Sequence, residues 1–469
     1  MPTTDPCDTT GPAPGEVRRI ASLAWPVILT SLNWTILHVT DVVVVGLVGA
    51  HQVAALGASR SLTFVGIVTG LAWLSGVLVT AARADGAGDR VATGAALRDG
   101  LALGLGLGIA AALLLWFEAA PMLRGLGVAA ALIDPAAAVV RVMAVAYPFQ
   151  LLIVAASFFL EGVSRPRRVA AVNMAILPLN ALLAWAWSGG HLGFAGHGAV
   201  GAASATVVAS IIGAVVMVAS ALLLPDPHAR GLRTWRVTIA GAVALGRFGI
   251  VPALASGLEL GGFSILIALS TRFGDDTAHA FQIVFAVHNV TYGIAIGLGS
   301  AAGVRVGNAI GEGQPVAAIA RTRIALALAV GLLGGAALLL GFGARTIVRG
   351  FPAADAVHAI AGSMLSLWAP FILFDGAQVV LVYALRSLGD QVAAGINSII
   401  AYFVVTGGLG WLLVMHGAAS MALVWASAAG MVAAAMLHTG RFVVVSARLR
   451  RQNSVPAASN SPAHPVSPN

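Results

Sequence analysis

Residues 368–390 read "WAPFILFDGAQVVLVYALRSLGD", a run apolar enough to be buried in lipid except for one aspartate, Asp375, near its middle. A partner to this stretch lies upstream, where residues 147–173, "YPFQLLIVAASFFLEGVSRPRRVAAVN", correspond to residues 369–397 at an offset of about 222 to 224 positions. The same duplication pairs "AWPVILTSL" (24–32) with "GIVPALASGL" (249–258), and the loop "RADGAGDRVA" (83–92) with "RVGNAIGEGQPVAA" (305–318). The chain is therefore two similar halves.

Composition says what the halves are made for. Of 469 residues, 59% are hydrophobic and 9% charged, with a mean hydropathy of +0.92, against roughly a quarter charged in a soluble domain. Hydropathy predicts spans near 20–49, 53–80, 97–117, 137–162, 169–188, 198–224, 241–270, 278–303, 322–344, 359–385, 392–415 and 418–447. Each is long enough to cross a hydrocarbon core of roughly 30 Å as a helix, which satisfies its own backbone groups in lipid. No run of short alternating segments supports a β-barrel. The fold expected is all-α: a polytopic membrane protein whose twelve transmembrane helices form two pseudo-symmetric six-helix lobes. Six helices is an even number, so both lobes keep one orientation, as in transporters built from parallel repeats.

The expected division is a disordered cytoplasmic tail at 1–17, an N-terminal lobe at 18–228, a basic linker at 229–240, a C-terminal lobe at 241–450 and a second disordered tail at 451–469. The first tail is polar and proline-rich, and the apolar segment after it is too long for a signal peptide. The second, "NSVPAASNSPAHPVSPN", cannot bury enough apolar surface to order itself. The linker "PDPHARGLRTWR" (225–236) suits a rocking joint.

The formal charge is +8, and every basic residue apart from histidine is arginine. The surplus does not point to nucleic acid, because most of it falls in alternate loops: Arg18 and Arg19, Arg83 and Arg90, Arg165 to Arg168, Arg230 to Arg236, Arg321 and Arg323, and Arg448 to Arg451. By the positive-inside rule these loops and both termini are cytoplasmic, in a multi-pass protein of the inner (plasma) membrane. Arg345 and Arg349 are the main exceptions. A lone cysteine, Cys7, makes no internal disulfide, and no Cys/His spacing resembles a structural metal site.

Most of the 18 acidic residues lie in loops or tails. Asp41, Glu259 and Asp375 lie inside spans, and Glu161 nearer a span end. An ionised aspartate at the bilayer centre costs roughly 2.5–3.5 kcal/mol on insertion scales, so these side chains should face the bundle interior or a wet cavity. A carboxylate there can hold a proton, an inorganic cation or a cationic substrate, and competition among the three couples their fluxes. A single such acid is as easily a packing residue hydrogen-bonded to Asn or Gln. Several in corresponding helices favour function.

Glu259 and Asp375 fall in helices seven and ten of one lobe, where as neighbours they would share a proton or a monovalent cation such as Na⁺. Gln378 stands one turn from Asp375; an interhelical hydrogen bond is its bland role. His38, three residues before Asp41, shares its face and could relay a proton. For it and for His288 in "FAVHNVTYG" (285–293), packing is the plainer role. Tyr and Trp near span ends are read as interfacial anchors.

Glycine runs such as "LALGLGLGIAA" (101–111) do not make a phosphate loop, since no strand precedes them and the chain has no lysine; they suit close helix packing. Neither a G-x-S-x-G elbow nor a metal constellation supports an enzyme.

In their order, "TDVVVVGLVG" (40–49), "EGVSRPR" (161–167), "VGAASAT" (200–206), "GIAIGLGSAAGVRVGNAIGEG" (293–313) and "FDGAQVVLVYALRSLGD" (374–390) resemble the multidrug and toxic compound extrusion transporters, and within them the NorM-like branch. The resemblance spans about Ile20 to Arg441. It implies that Asp41 is the acid of the N-terminal lobe and that Glu259 and Asp375 serve cation coupling and substrate binding. It makes Asn180 the polar partner from helix five, with Ile176 where the family often has a second Asn. Phe371 replaces a tyrosine of sodium-coupled relatives, removing a hydroxyl ligand and tilting the balance toward a proton. The function implied is a secondary active multidrug antiporter. It would act as a monomer without cofactor, exporting organic, cationic and amphipathic compounds in exchange for H⁺ or Na⁺, with membrane lipids as its other contacts. Two alternatives remain: a flippase for lipid-linked saccharides, which would want a basic cavity, and a channel or sensor, which would pass current without countertransport.

Overall fold

The computed structural model describes residues 15–225, 228–231 and 238–454. Among them are twelve helices long and apolar enough to cross a membrane: α1 Glu16–Gly46, α2 Ala50–Gly86, α3 Arg90–Gly125, α4 Ala130–Gly162, α5 Pro166–Gly189, α6 Gly198–Leu222, α7 Ile239–Phe273, α8 Asp275–Gly311, α9 Pro315–Val348, α10 Asp355–Leu388, α11 Gln391–Met415 and α12 Ala422–Asn453. They form the expected two lobes of a multi-pass membrane protein. Glu16 and Val17, expected in a tail, begin α1, and Arg451 to Asn453 extend α12. The tails at 1–14 and 455–469, with Cys7, and the linker positions 232–237 lie outside the described residues.

The duplication is visible in the backbone. Positive φ angles recur 225 positions apart, at Gly49 (φ 153°) and Gly274 (φ 95°), Gly88 (φ 69°) and Gly313 (φ 71°), and Ser164 (φ 61°) and Gly389 (φ 92°). A positive φ costs little only without a Cβ, so Ser164 carries strain that its counterpart Gly389 avoids. Pro26 in α1 and Pro252 in α7 also correspond, each inside its helix.

Several helices are not simple rods. α2 steps at Leu74, and α10 is broken by a 3₁₀ turn over Ala369–Phe371 at Pro370, whose ring and missing N–H interrupt an α-helix. Past that break the helix restarts at Ile372, which sets Asp375 in its first turn. In α11 the stretch Ile399–Leu409 widens into a π-helix, a form frequent at functional sites.

The lobes meet mainly through α1 and α2 of the first and α7 and α8 of the second. Small residues let α2 and α8 approach closely: a Cβ on Gly86 would overlap the carbonyl oxygen of Asn308, and one on Gly311 that of Arg83. The linker is tied to α3, whose Arg98 donates to the Gly231 carbonyl at 2.7 Å while Asp99 accepts from the Thr238 N–H at 3.2 Å.

Candidate cation and substrate sites

In the N-terminal lobe Asp41 is 6% exposed and accepts a hydrogen bond from the Asn180 amide at 3.3 Å. Arg60 of α2 lies 3.7 Å from the other carboxylate oxygen and donates to the His38 carbonyl at 3.0 Å. A cavity of about 70 Å³ opens here; Asp41, Arg60, Gln150 and Thr206 give polar groups to a wall otherwise mostly apolar, with Trp34, Phe64 and Met143 among it, and it is large enough for water. Asn180 thus stands where the sequence expectation put it, beside Asp41. His38 lines the same cavity, yet its ring packs edge-on against Phe64 at 5.8 Å, and among the described residues no hydrogen bond joins it to Asp41. The imagined His38–Asp41 relay has no direct link.

The C-terminal lobe holds a denser cluster. Asp375, 2% exposed, accepts hydrogen bonds from the Tyr402 hydroxyl at 2.8 Å and the Gln378 amide at 3.2 Å. His288 Nε2 lies 3.9 Å from its second oxygen. Tyr292, one turn beyond His288 on α8, donates to Glu259 at 3.4 Å. Asp375 and Arg386 both act electrostatically on Glu259, so the two acids share one polar cluster contributed by α7, α8, α10 and α11. Glu259 keeps partial exposure, whereas Asp375 is enclosed. Each acid has a tyrosine of its own.

Phe371 lies in the 3₁₀ turn and packs against Phe374 and Trp425, with ring centroids 6.4 and 6.0 Å away. The hydroxyl expected to be missing at Asp375 is supplied from another helix, by Tyr402 on the π-helical stretch. Sequence reasoning missed Tyr402 and Tyr292 because a tyrosine in a span reads as an interfacial anchor. It also missed Arg60 and Arg386, although a lone charge inside an apolar run was a signal as open as the acids. Arg386 is buried, its guanidinium 5.8 Å from the Tyr383 ring and its Nε without a hydrogen-bond partner among the described residues.

Glu161 stands apart from both clusters. It accepts a 2.5 Å hydrogen bond from Ser300 of α8, linking α4 to the opposite lobe. At the arginine-rich end more such links close the cleft. Arg305 of α8 makes a forked pair with Glu16 of α1 at 2.6 and 2.9 Å, and Asn308 donates to the Ala82 carbonyl at 2.8 Å. Arg83 of α2 donates twice to the Ser387 carbonyl of α10, at 3.1 and 2.8 Å. Arg321 joins Glu312 at 2.8 Å and lies 3.9 Å from Glu16. Five of the twelve helices, α1 and α2 of one half and α8, α9 and α10 of the other, are thus held together there through guanidinium groups and small side chains.

Comparisons with known proteins agree with this architecture. The family model MatE matches twice, over residues 26–186 and 252–412, once in each half. A "Probable multidrug resistance protein NorM" of Burkholderia pseudomallei is 31% identical over 443 residues, covering 92% of this chain and 93% of that protein. One of the same description from Rhizobium meliloti is 28% identical over 457 residues, covering 95% and 96%. Among solved structures, a transporter of the MOP superfamily from Pyrococcus furiosus has a TM-score of 0.84 at 18% identity, covering 96% of this chain and 100% of that one. A eukaryotic MATE transporter has a TM-score of 0.81 at 20% identity, covering 93% and 98%. With its duplicated six-helix lobes and a family match in each of them, the chain belongs to the MatE family.

Proposed function

We propose that the protein is a secondary active multidrug exporter that works by alternating access, a proton gradient driving organic, cationic and amphipathic compounds outward between the two lobes. The observation that carries this reading is the Asp375–Tyr402–Gln378–His288 cluster, coupled electrostatically to a partly exposed Glu259. An enclosed carboxylate, whose charge burial disfavours, suits a proton, and a neighbouring acid that keeps part of its surface open suits a cationic cargo. The relatives described as multidrug resistance proteins support the class of cargo.

Proton is favoured over sodium by the company the acids keep. A hard cation wants several oxygens turned toward it, whereas Asp41 already has the Arg60 guanidinium and the Asn180 amide, and Asp375 an imidazole and an amide N–H. Protonation acts by differential affinity, since a ligand shifts an equilibrium only as far as it prefers one state. Loading Glu259 and Asp375 on the outer side releases cargo and favours the return. The arginine-rich end is cytoplasmic in this scheme, with both termini on that side of the inner membrane, and the monomer is the working unit.

The test is efflux from proteoliposomes under an imposed pH gradient or sodium gradient, one ion at a time. The pH gradient alone should drive export, and Asp375→Asn should abolish it with expression and membrane insertion intact. Export by the variant at the parent rate, or export driven by sodium alone, refutes the proposal.

A further inference from the structure

On the outer surface of the C-terminal lobe, away from both acid clusters, α9 and α12 touch and leave a groove of about 340 Å³ lined by Arg323, Phe442, Val443, Ser446, Ala447 and Arg450. Phe442, Ser446 and Arg450 follow one another at four-residue spacing, so they form a stripe along one face of α12. Arg323 enters from α9, two turns after that helix starts at Pro315.

Three features of this groove are unresolved within the chain. Its two guanidinium groups are exposed and have no partner among the described residues, although nearby arginines do: Arg321 holds Glu312, and Arg441 holds Asp390 at 2.5 and 3.0 Å. Two like charges line one groove with no carboxylate in its walls. The Ser446 hydroxyl, on a residue only 7% exposed, is buried without a hydrogen-bond partner, a state that costs free energy until something accepts its proton.

We propose that this groove binds the headgroup of an anionic phospholipid, Arg323 and Arg450 gripping the phosphate while the Ser446 hydroxyl, enclosed in the unliganded protein, turns toward it to donate a hydrogen bond. Guanidinium forks match phosphate oxygens bidentately, and a basic recess between transmembrane helices on the cytoplasmic side is a recognised setting for anionic headgroups. Phe442, Val443 and Ala447 favour a lipid over a free anion. They give the glycerol and the first acyl carbons an apolar wall, which inorganic phosphate cannot use. Val443, 60% exposed, is the most open part of that wall.

Native mass spectrometry of the full chain in a neutral detergent tests this, with phosphatidylglycerol and phosphatidylcholine of identical acyl chains as probes. The parent protein should retain one phosphatidylglycerol in preference to phosphatidylcholine. At about 1 kcal/mol per arginine and 1.4 kcal/mol per tenfold, Arg323→Gln/Arg450→Gln should weaken retention roughly 30-fold. Ser446→Ala should weaken it roughly fivefold, as for one hydrogen bond. Arg448→Gln, an exposed arginine of the same helix end outside the groove, should change it less than twofold. The proposal is overturned if the double variant retains the lipid like the parent, if Arg448→Gln weakens it as much, or if inorganic phosphate at millimolar concentration displaces it. Retention is read without transport, so failure here leaves the exporter reading standing, and failure of that reading leaves the lipid site standing.

Discussion

Replacing Arg305 with glutamine should unlatch the closed end of the cleft. In the structure Arg305 is 8% exposed and Glu16 3%, and their fork is two charge-assisted hydrogen bonds of 2.6 and 2.9 Å joining α8 to α1. At about 1.5 kcal/mol for each bond to a charged group, Arg305→Gln should cost the closed arrangement about 3 kcal/mol, which changes the ratio of open to closed roughly 150-fold. The reporter is a cysteine at Leu78, 2% exposed on α2 and facing Gly303 of α8, in a chain whose Cys7 is replaced by serine. Its maleimide labelling rate follows the open population, so it should rise by about two orders of magnitude. The double variant Glu16→Gln/Arg305→Gln should label more slowly than the product of the two single effects, because either single change strands a buried charge. Labelling of Arg305→Gln within threefold of the parent would refute the idea that this pair holds the lobes together.

The same reporter tests the backbone contact: Gly86→Ala places a methyl on the Asn308 carbonyl, and overpacking of about 1–3 kcal/mol should speed labelling roughly 5- to 150-fold while helix content by circular dichroism stays at the parent value. In the acid cluster, Tyr402→Phe deletes one hydrogen bond to a carboxylate, worth roughly 1.5–3 kcal/mol. Export under a fixed pH gradient should then fall at least tenfold, with expression unchanged; export at the parent rate would show that this bond carries nothing.

Hydropathy and charge were enough to find twelve spans, their duplication and their lobes, because lipid admits few backbone solutions and the apolar runs are long. They were not enough to find where helices end. The third span, read as 97–117, runs Arg90–Gly125, since helices continue past the hydrocarbon into polar turns that hydropathy counts as loop. Nor does apolarity distinguish an α-helix from the π-helical stretch at 399–409, and it makes the span read as 359–385 one rod, with the break at Pro370 left unread.

The candidate site was legible where chemistry was conspicuous. Asp41, Glu259 and Asp375 stand out against apolar neighbours, and Asn180 and Gln378 were found by resemblance and by helical spacing. What stayed hidden came from another helix. Tyr402 lies 27 positions from Asp375 and Tyr292 lies 33 from Glu259, distances that only packing can close. Glu16 was assigned to a tail because it precedes the apolar run, and its partner Arg305 lies 289 positions away.

The unbroken segment of α10 from Ile372 to Leu388 carries Asp375 at one end and, twelve residues on, the Ser387 carbonyl that Arg83 grips. That is about 18 Å of helix, stiff enough to act as a push rod. On the proposed exporter reading, a rotation or axial slip of this rod around Asp375 would be felt in the opposite lobe through the single Arg83 grip on its far end.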